Sequence, residues 1–198
     1  MNIFKIGLCV VAMGSFLAGS NITNAEPENL AVCAACHGED GSGAGYEYVP
    51  IIAGTPAAHL EEALFAYQDG ARHCVGVPVM CEAVAPLSED QVVELATYYA
   101  AMPRISSEEE FDKKLAAVGK LIHEDLCAQC HALPTDDNVD DALGIPLNGQ
   151  RAAYLRLALG AYLTGDRDTL VPIMADKLKE LNQGKIDALV NYYASWEQ

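Results

Sequence analysis

The chain has 198 residues, of which 51% are hydrophobic and 20% charged, and its 28 acidic residues outnumber its 12 basic ones for a net charge of −16. This is the composition of a folded, soluble protein. The charge argues against nucleic acid or an anionic membrane surface as partner, and for a basic partner or a saline habitat.

Residues 1–25 read as a signal peptide. Lys5 gives a thin positive start, Ile6 to Leu17 form an apolar run too short to span a bilayer, and Thr23-Asn24-Ala25 is a small-residue cleavage site. Cys9 lies inside that run rather than after it, so it is not read as a lipid attachment site. Cleavage leaves 173 residues (198 minus 25) with a net charge of −17, enough for one ordinary domain or two small ones, and puts the mature chain in the periplasm.

Further along, Cys33-Ala34-Ala35-Cys36-His37 precedes a segment rich in Gly, Pro and Asp that reads as a loop to Pro50. Thr55-Pro56 opens an apolar-periodic helix that ends at Gly70. Ser88-Glu89-Asp90-Gln91 is a capping box ahead of a helix that reaches Ala101 and is stopped by Pro103. Residues 103–107 read as a linker. Ser107-Glu108-Glu109-Glu110 is then expected to cap a helix running towards Cys127. After Cys127-Ala128-Gln129-Cys130-His131 comes a second loop, to Pro146, and Gln150-Arg151 opens a helix that ends at Gly165. No segment alternates in polarity as a strand would.

These elements form an internal repeat. Cys33, Cys36 and His37 match Cys127, Cys130 and His131 at an offset of 94 residues. The offset becomes 95 where Gly54, Leu60, Leu64, Tyr67, Gly70 and Arg72 match Gly149, Leu155, Leu159, Tyr162, Gly165 and Arg167. It returns to 94 where Pro78, Met80, Leu87, Leu95, Tyr98 and Tyr99 match Pro172, Met174, Leu181, Leu189, Tyr192 and Tyr193. The expected architecture is all-α, with a first domain over 26–102 and a second over 108–198. Units of this size with long loops have little core of their own, so each is expected to wrap around something else.

C-x-x-C-H is the attachment signature of a c-type haem. Two thiols three residues apart on a helical turn reach the same edge of the porphyrin, and the following histidine supplies an imidazole to iron. A redox-active or structural C-x-x-C and a zinc site are the competing readings. The first would sit beside a βαβ pattern, which is missing, and the second needs no histidine after each pair. Two covalently bound haems c are therefore expected, on Cys33, Cys36, Cys127 and Cys130, with His37 and His131 as axial ligands. Met80 lies 43 residues after His37 and Met174 lies 43 after His131, each within Val-Pro-hydrophobic-Met. Met80 and Met174 are thus the expected second axial ligands, which would raise the potential and fill both faces of each iron. The other methionines read as core fillers.

His59 stands opposite Tyr154 in the repeat and reads as a packing or propionate-contacting residue. His123 reads as a surface residue, and the tyrosine pairs and Trp196 as packing. Cys74 and Cys81 flank Met80 in the first half alone. A disulfide closing so short a loop would contribute about 2–3 kcal/mol and hold the methionine segment. The alternatives are a Cys81 thiolate that displaces Met80, a copper site with His73, and an intermolecular bridge.

With CAACHGEDGSG, PIIAGTPAAHL, LNGQRAAYL and a tyrosine-rich final helix in each half, the mature chain resembles the di-haem cytochrome c4 family. It also resembles a relative of that family, the cytochrome subunit of flavocytochrome c sulfide dehydrogenase. GKLIHEDLCAQCH with its acidic loop, and KLKELNQGKIDALVNYYAS, lean towards that subunit. The resemblance implies a non-catalytic electron-transfer subunit held by an FAD-binding sulfide dehydrogenase, with other redox proteins as acceptors. A free-standing shuttle to a terminal oxidase or reductase is the alternative, and a catalytic di-haem enzyme a weaker one.

Overall fold

The computed structural model describes residues 26–43, 45–133, 144–169 and 171–196. The expected signal peptide, with Cys9, and most of the acidic loop after the second C-x-x-C-H lie outside the described residues. The described chain forms eight helices: α1 Leu30–His37, α2 Ala57–Gln68, α3 Pro78–Val84, α4 Glu89–Ala100, α5 Lys113–Leu126, α6 Ala152–Thr164, α7 Pro172–Leu178 and α8 Gln183–Ala194. Among the described residues extended pairing is confined to two isolated bridges, so the fold is all-α.

Local sequence explains most helix ends. Ser88 accepts from the Gln91 backbone N–H while the Gln91 side chain accepts from Ser88 N–H, and this capping box starts α4. Gly165 ends α6 in the left-handed conformation, where a Cβ is unfavourable. The seven-residue helices α3 and α7 each begin with the proline of the Val-Pro motif, whose fixed φ suits a first helical turn. Both methionines therefore stand on short helices rather than on loops.

Two sequence expectations are corrected here. The box at Ser107 does not start α5, which is capped by Asp112 accepting from Lys114 and Leu115 N–H. Ser107 Oγ is buried without a partner among the described residues, and its N–H donates to Gly149 O. Glu109 is used elsewhere, since its carboxylate accepts from Ala152 N–H at the start of α6. There it offsets an orphan donor and the positive helix end. His123 is not on the surface: it is 2% exposed and hydrogen-bonded to the Tyr193 hydroxyl at 3.1 Å.

The helices of one half repeat those of the other, α2 packing on α4 and α6 on α8, with α5 laid extensively along α8. Gly119 permits that last crossing, because a Cβ there would run into the Ala188 carbonyl. Leu155, Ile186, Leu189, Val190 and Tyr193 form the buried cluster of the second half, and Val84, Val92, Leu95, Ala96 and Tyr99 are buried in the first. The stretch between α4 and α5 is extended but tied down. Arg104 donates to the carbonyls of Pro146 and Asn148 at 3.0 and 2.9 Å, and Ser106 Oγ donates to Trp196 O.

Three substitutions test this packing. Gly119→Ala should push α5 off α8 and lower stability by about 1–3 kcal/mol in denaturant unfolding of the purified protein. Tyr193→Phe should cost about 1–2 kcal/mol by removing the buried hydrogen bond to His123. Its repeat mate gives the contrast: the Tyr99 hydroxyl is buried with no partner among the described residues, so Tyr99→Phe should leave the midpoint unchanged.

Candidate functional site

Both pentapeptides lie on one cavity of about 880 Å³ that runs through the two halves. Its walls are mainly apolar side chains, and Cys33, Cys36, His37, Met80, Cys127, Cys130, His131 and Met174 all line it. The first motif occupies the last turn of α1. The second follows α5 in a turn with the same helical bonding, His131 N–H donating to Cys127 O at 2.9 Å. Cys33, Cys36, Cys127 and Cys130 are free thiols and half-buried. Burial pushes the Cys33 and Cys127 thiols up.

The two histidines are oriented alike. His37 Nδ1 donates to Pro50 O at 3.1 Å, and His131 Nδ1 donates to Ile145 O at 2.8 Å. Pro50 and Ile145 are repeat mates, so the one-residue insertion between the halves falls between histidine and acceptor and is absorbed there. Each bond fixes the tautomer and leaves Nε2 as the free lone pair. Burial lowers both pKa values against the smaller, opposite effect of the carbonyl, which favours neutral imidazole, the form that ligates a metal. Gly144 lies flat against the His131 ring, where any side chain would displace it.

Met80 and Met174 sit on α3 and α7, against the same cavity. In the first half Gln68 Nε2 donates to the carbonyls of Val84 and Leu87, tying the end of α3 to α2. Cys74 and Cys81 are joined in a disulfide with their Cα atoms 6.1 Å apart. Neither sulfur is then a thiolate, which removes the basis for Cys81 ligation and for a copper site with His73. Among the described residues no cluster of three or more His, Cys, Asp or Glu could hold a metal ion.

At the centre the halves meet through repeat mates. Arg72 and Arg167 form an antiparallel bridge, with His73 N–H donating to Asp166 O and Asp168 N–H to Ala71 O, each at 2.8 Å. Both guanidinium groups lie over tyrosine rings, Arg72 at 5.3 Å from Tyr67 and Arg167 at 4.4 Å from Tyr162. Both line the cavity, and neither has a carboxylate partner among the described residues. Burial, and then the neighbouring Arg72, lower the pKa of Arg167. His59 lies in the same wall, its pKa lowered to about 4 by burial first and then by Arg72 and Arg167, so it is neutral. Beside this bridge the Gln150 amide pairs with the backbone of Ile51 in both directions, at 2.9 and 2.8 Å, and Arg151 Nη2 donates to Ser42 O.

These residues fit two c-type haems. Each motif offers two free thiols and a neutral imidazole to an apolar space with a methionine on its wall. Arg72, buried, and Arg167, half-buried, lack acidic partners among the described residues and suit the carboxylates of a porphyrin. The repeat marked Arg72 and Arg167 without giving them a role, Gln150 read only as a helix start, and Arg104 and Gly144 carried no local signal.

Known proteins agree with this geometry. No protein-family model matches the chain. It is 32% identical over 187 residues to the thiosulfate dehydrogenase electron acceptor of Thiomonas intermedia, covering 81% of this chain and 76% of that one. It is also 32% identical over 186 residues to cytochrome c4 of Stutzerimonas stutzeri, covering 82% and 83%. The structure of Acidithiobacillus ferrooxidans cytochrome c4 superposes with a TM-score of 0.71 at 25% identity, over 84% of this chain and 99% of that one. Among the described residues no helix is long and apolar enough to cross a membrane. With two covalently bound haems c as its cofactors, the chain belongs to the cytochrome c4 family of electron-transfer proteins.

Proposed function

We propose that this cytochrome accepts electrons in the periplasm from an enzyme that oxidises a reduced sulfur compound, and passes them on singly through its two haems. Residues 1–25 act as the export signal. Cys33 and Cys36 would hold one haem and Cys127 and Cys130 the other, with His37 and Met80, and His131 and Met174, as the side chains offered to the irons. The observation that carries the reading is the single apolar cavity lined by both motifs and both methionines.

Each haem, when bound, supplies an iron that takes up and releases one electron. The chain's own residues do the rest. Pro50 and Ile145 hold the imidazoles by their Nδ1 protons, so that Nε2 keeps one direction in either oxidation state. Pro78 and Pro172 start the helices that hold the methionines, and a neutral sulfur ligand favours the reduced state. Apolar walls exclude water, so little solvent need reorient when charge changes. Arg72 and Arg167 supply positive charge at the junction, where porphyrin carboxylates would otherwise be buried unpaired. A thioether from Met80 or Met174 beside each imidazole would leave no place for substrate at either iron, which favours electron transfer over catalysis by this chain alone.

Two partners fit. The Thiomonas relative, named as an electron acceptor of thiosulfate dehydrogenase, supports an enzyme of that class. The second-half sequence from Gly119 to His131 and the final helix support a flavoprotein sulfide dehydrogenase, with the chain as its cytochrome subunit. Mixing the oxidised holoprotein with each enzyme and its substrate separates them. Haem reduction by thiosulfate dehydrogenase with thiosulfate, and none by the FAD enzyme with sulfide, is the expected result; the reverse selects the second partner. Ligation is tested by Met174→Ala, which should remove the low-spin ferric signature of one of the two haems. An unchanged spectrum would show that Met174 is no ligand.

A further inference from the structure

The halves share a helix plan but differ in charge. Residues 26–102 contain one Lys or Arg against twelve Asp and Glu, and residues 103–198 contain ten against sixteen. The single cation of the first half, Arg72, is 8% exposed. Its outer surface therefore presents neither lysine nor arginine, while Glu39, Asp40, Glu47, Glu62 and Glu82 are exposed.

Exposed apolar side chains of this half border the cavity amid these acids. Val32, Tyr48, Val75 and Val79 are 55%, 57%, 76% and 52% exposed, and all four line the cavity together with Cys33, Cys36 and Met80. Val75 is the most exposed large hydrophobic residue among the described ones, and it stands in the loop closed by the Cys74–Cys81 disulfide. The second half has no such bridge. Acids are interleaved with the patch, Glu47 between Tyr46 and Tyr48, and Glu82 one turn beyond Val79 on α3. The matching mouth of the second half differs in charge, since Asp176, the repeat mate of Glu82, is paired with Lys179, and Lys177 stands near Cys127.

We propose that the first-half mouth is the docking surface for a basic redox protein, whose own apolar contact patch is ringed by lysine or arginine. One electron crosses there from the reduced cytochrome to the partner's oxidised metal centre, and no bond forms or breaks. The apolar centre sheds water on contact, and opposite charge around it steers the encounter. A second copy of this chain would present the same acidic rim and be repelled. The disulfide holds Val75 out on this face. This inference rests on the electron-transfer reading above and adds the side used and the charge of the partner.

The test uses the reduced holoprotein in stopped-flow electron transfer, with a lysine-rich mitochondrial-type cytochrome c as probe and its lysine-acetylated form as control. Charge reversal at the proposed face, Glu47→Lys with Glu82→Lys, should slow the reaction about tenfold at low ionic strength, and the loss should vanish in high salt or with the acetylated probe. The same change on the other half, Asp176→Lys with Glu180→Lys, should alter the rate less than about twofold. Val75→Ser should slow the reaction while leaving its salt dependence unchanged. Equal slowing by both reversals, or slowing by neither, would overturn the proposal. Haem content and chemical reduction of each variant are measured first. A wild-type chain lacking two reducible haems would overturn the electron-transfer reading itself, and a chain with both haems but no preferred face would overturn only the docking proposal.

Discussion

The backbone bridge between Arg72 and Arg167 sets the geometry on which the rest of the molecule depends. Because it pairs repeat mates in antiparallel fashion, it places a local two-fold relation between the halves. The pockets beside the two motifs then open towards each other and merge into one cavity. Everything nearby reinforces the junction: the Gln150 amide acts as a short piece of strand against Ile51, Arg151 reaches Ser42, and Arg104 holds the Pro146 to Asn148 turn. These directional polar bonds fix the register of the junction.

Two guanidinium groups brought together in a half-buried setting oppose the fold unless something offsets their charge. The tyrosine faces do part of this, and burial with mutual repulsion keeps His59 neutral beside them. Porphyrin carboxylates would complete the compensation. In this view cofactor binding and domain union are one process, since the same arginines that join the halves by their backbones present their side chains to the cavity.

Duplication left the halves alike in plan and unlike in detail. In the second half, α5 lies along α8 and His123 bonds Tyr193. In the first half, Asn29 holds the place of His123, and the Tyr99 hydroxyl has no partner among the described residues. The first half instead carries the disulfide around Met80 and a surface of one charge sign. Such differences give the two sites unlike surroundings.

The sequence by itself determined the all-α class, the two C-x-x-C-H pentapeptides, the duplicated Val-Pro-x-Met segments and the extents of α2, α4 and α6. Each of these is a short-range pattern, written in residues three to four apart or repeated at a fixed offset. Tertiary structure decided what those patterns face. Glu109 caps α6 rather than α5, because a carboxylate serves whichever helix end is near in space. His123 is buried because the second-half core closes over the face of α5 that it occupies, a face whose periodicity resembles that of any amphipathic helix. Arg72 and Arg167 meet only because the halves pair, and no local rule marks a residue for a contact nearly a hundred positions away.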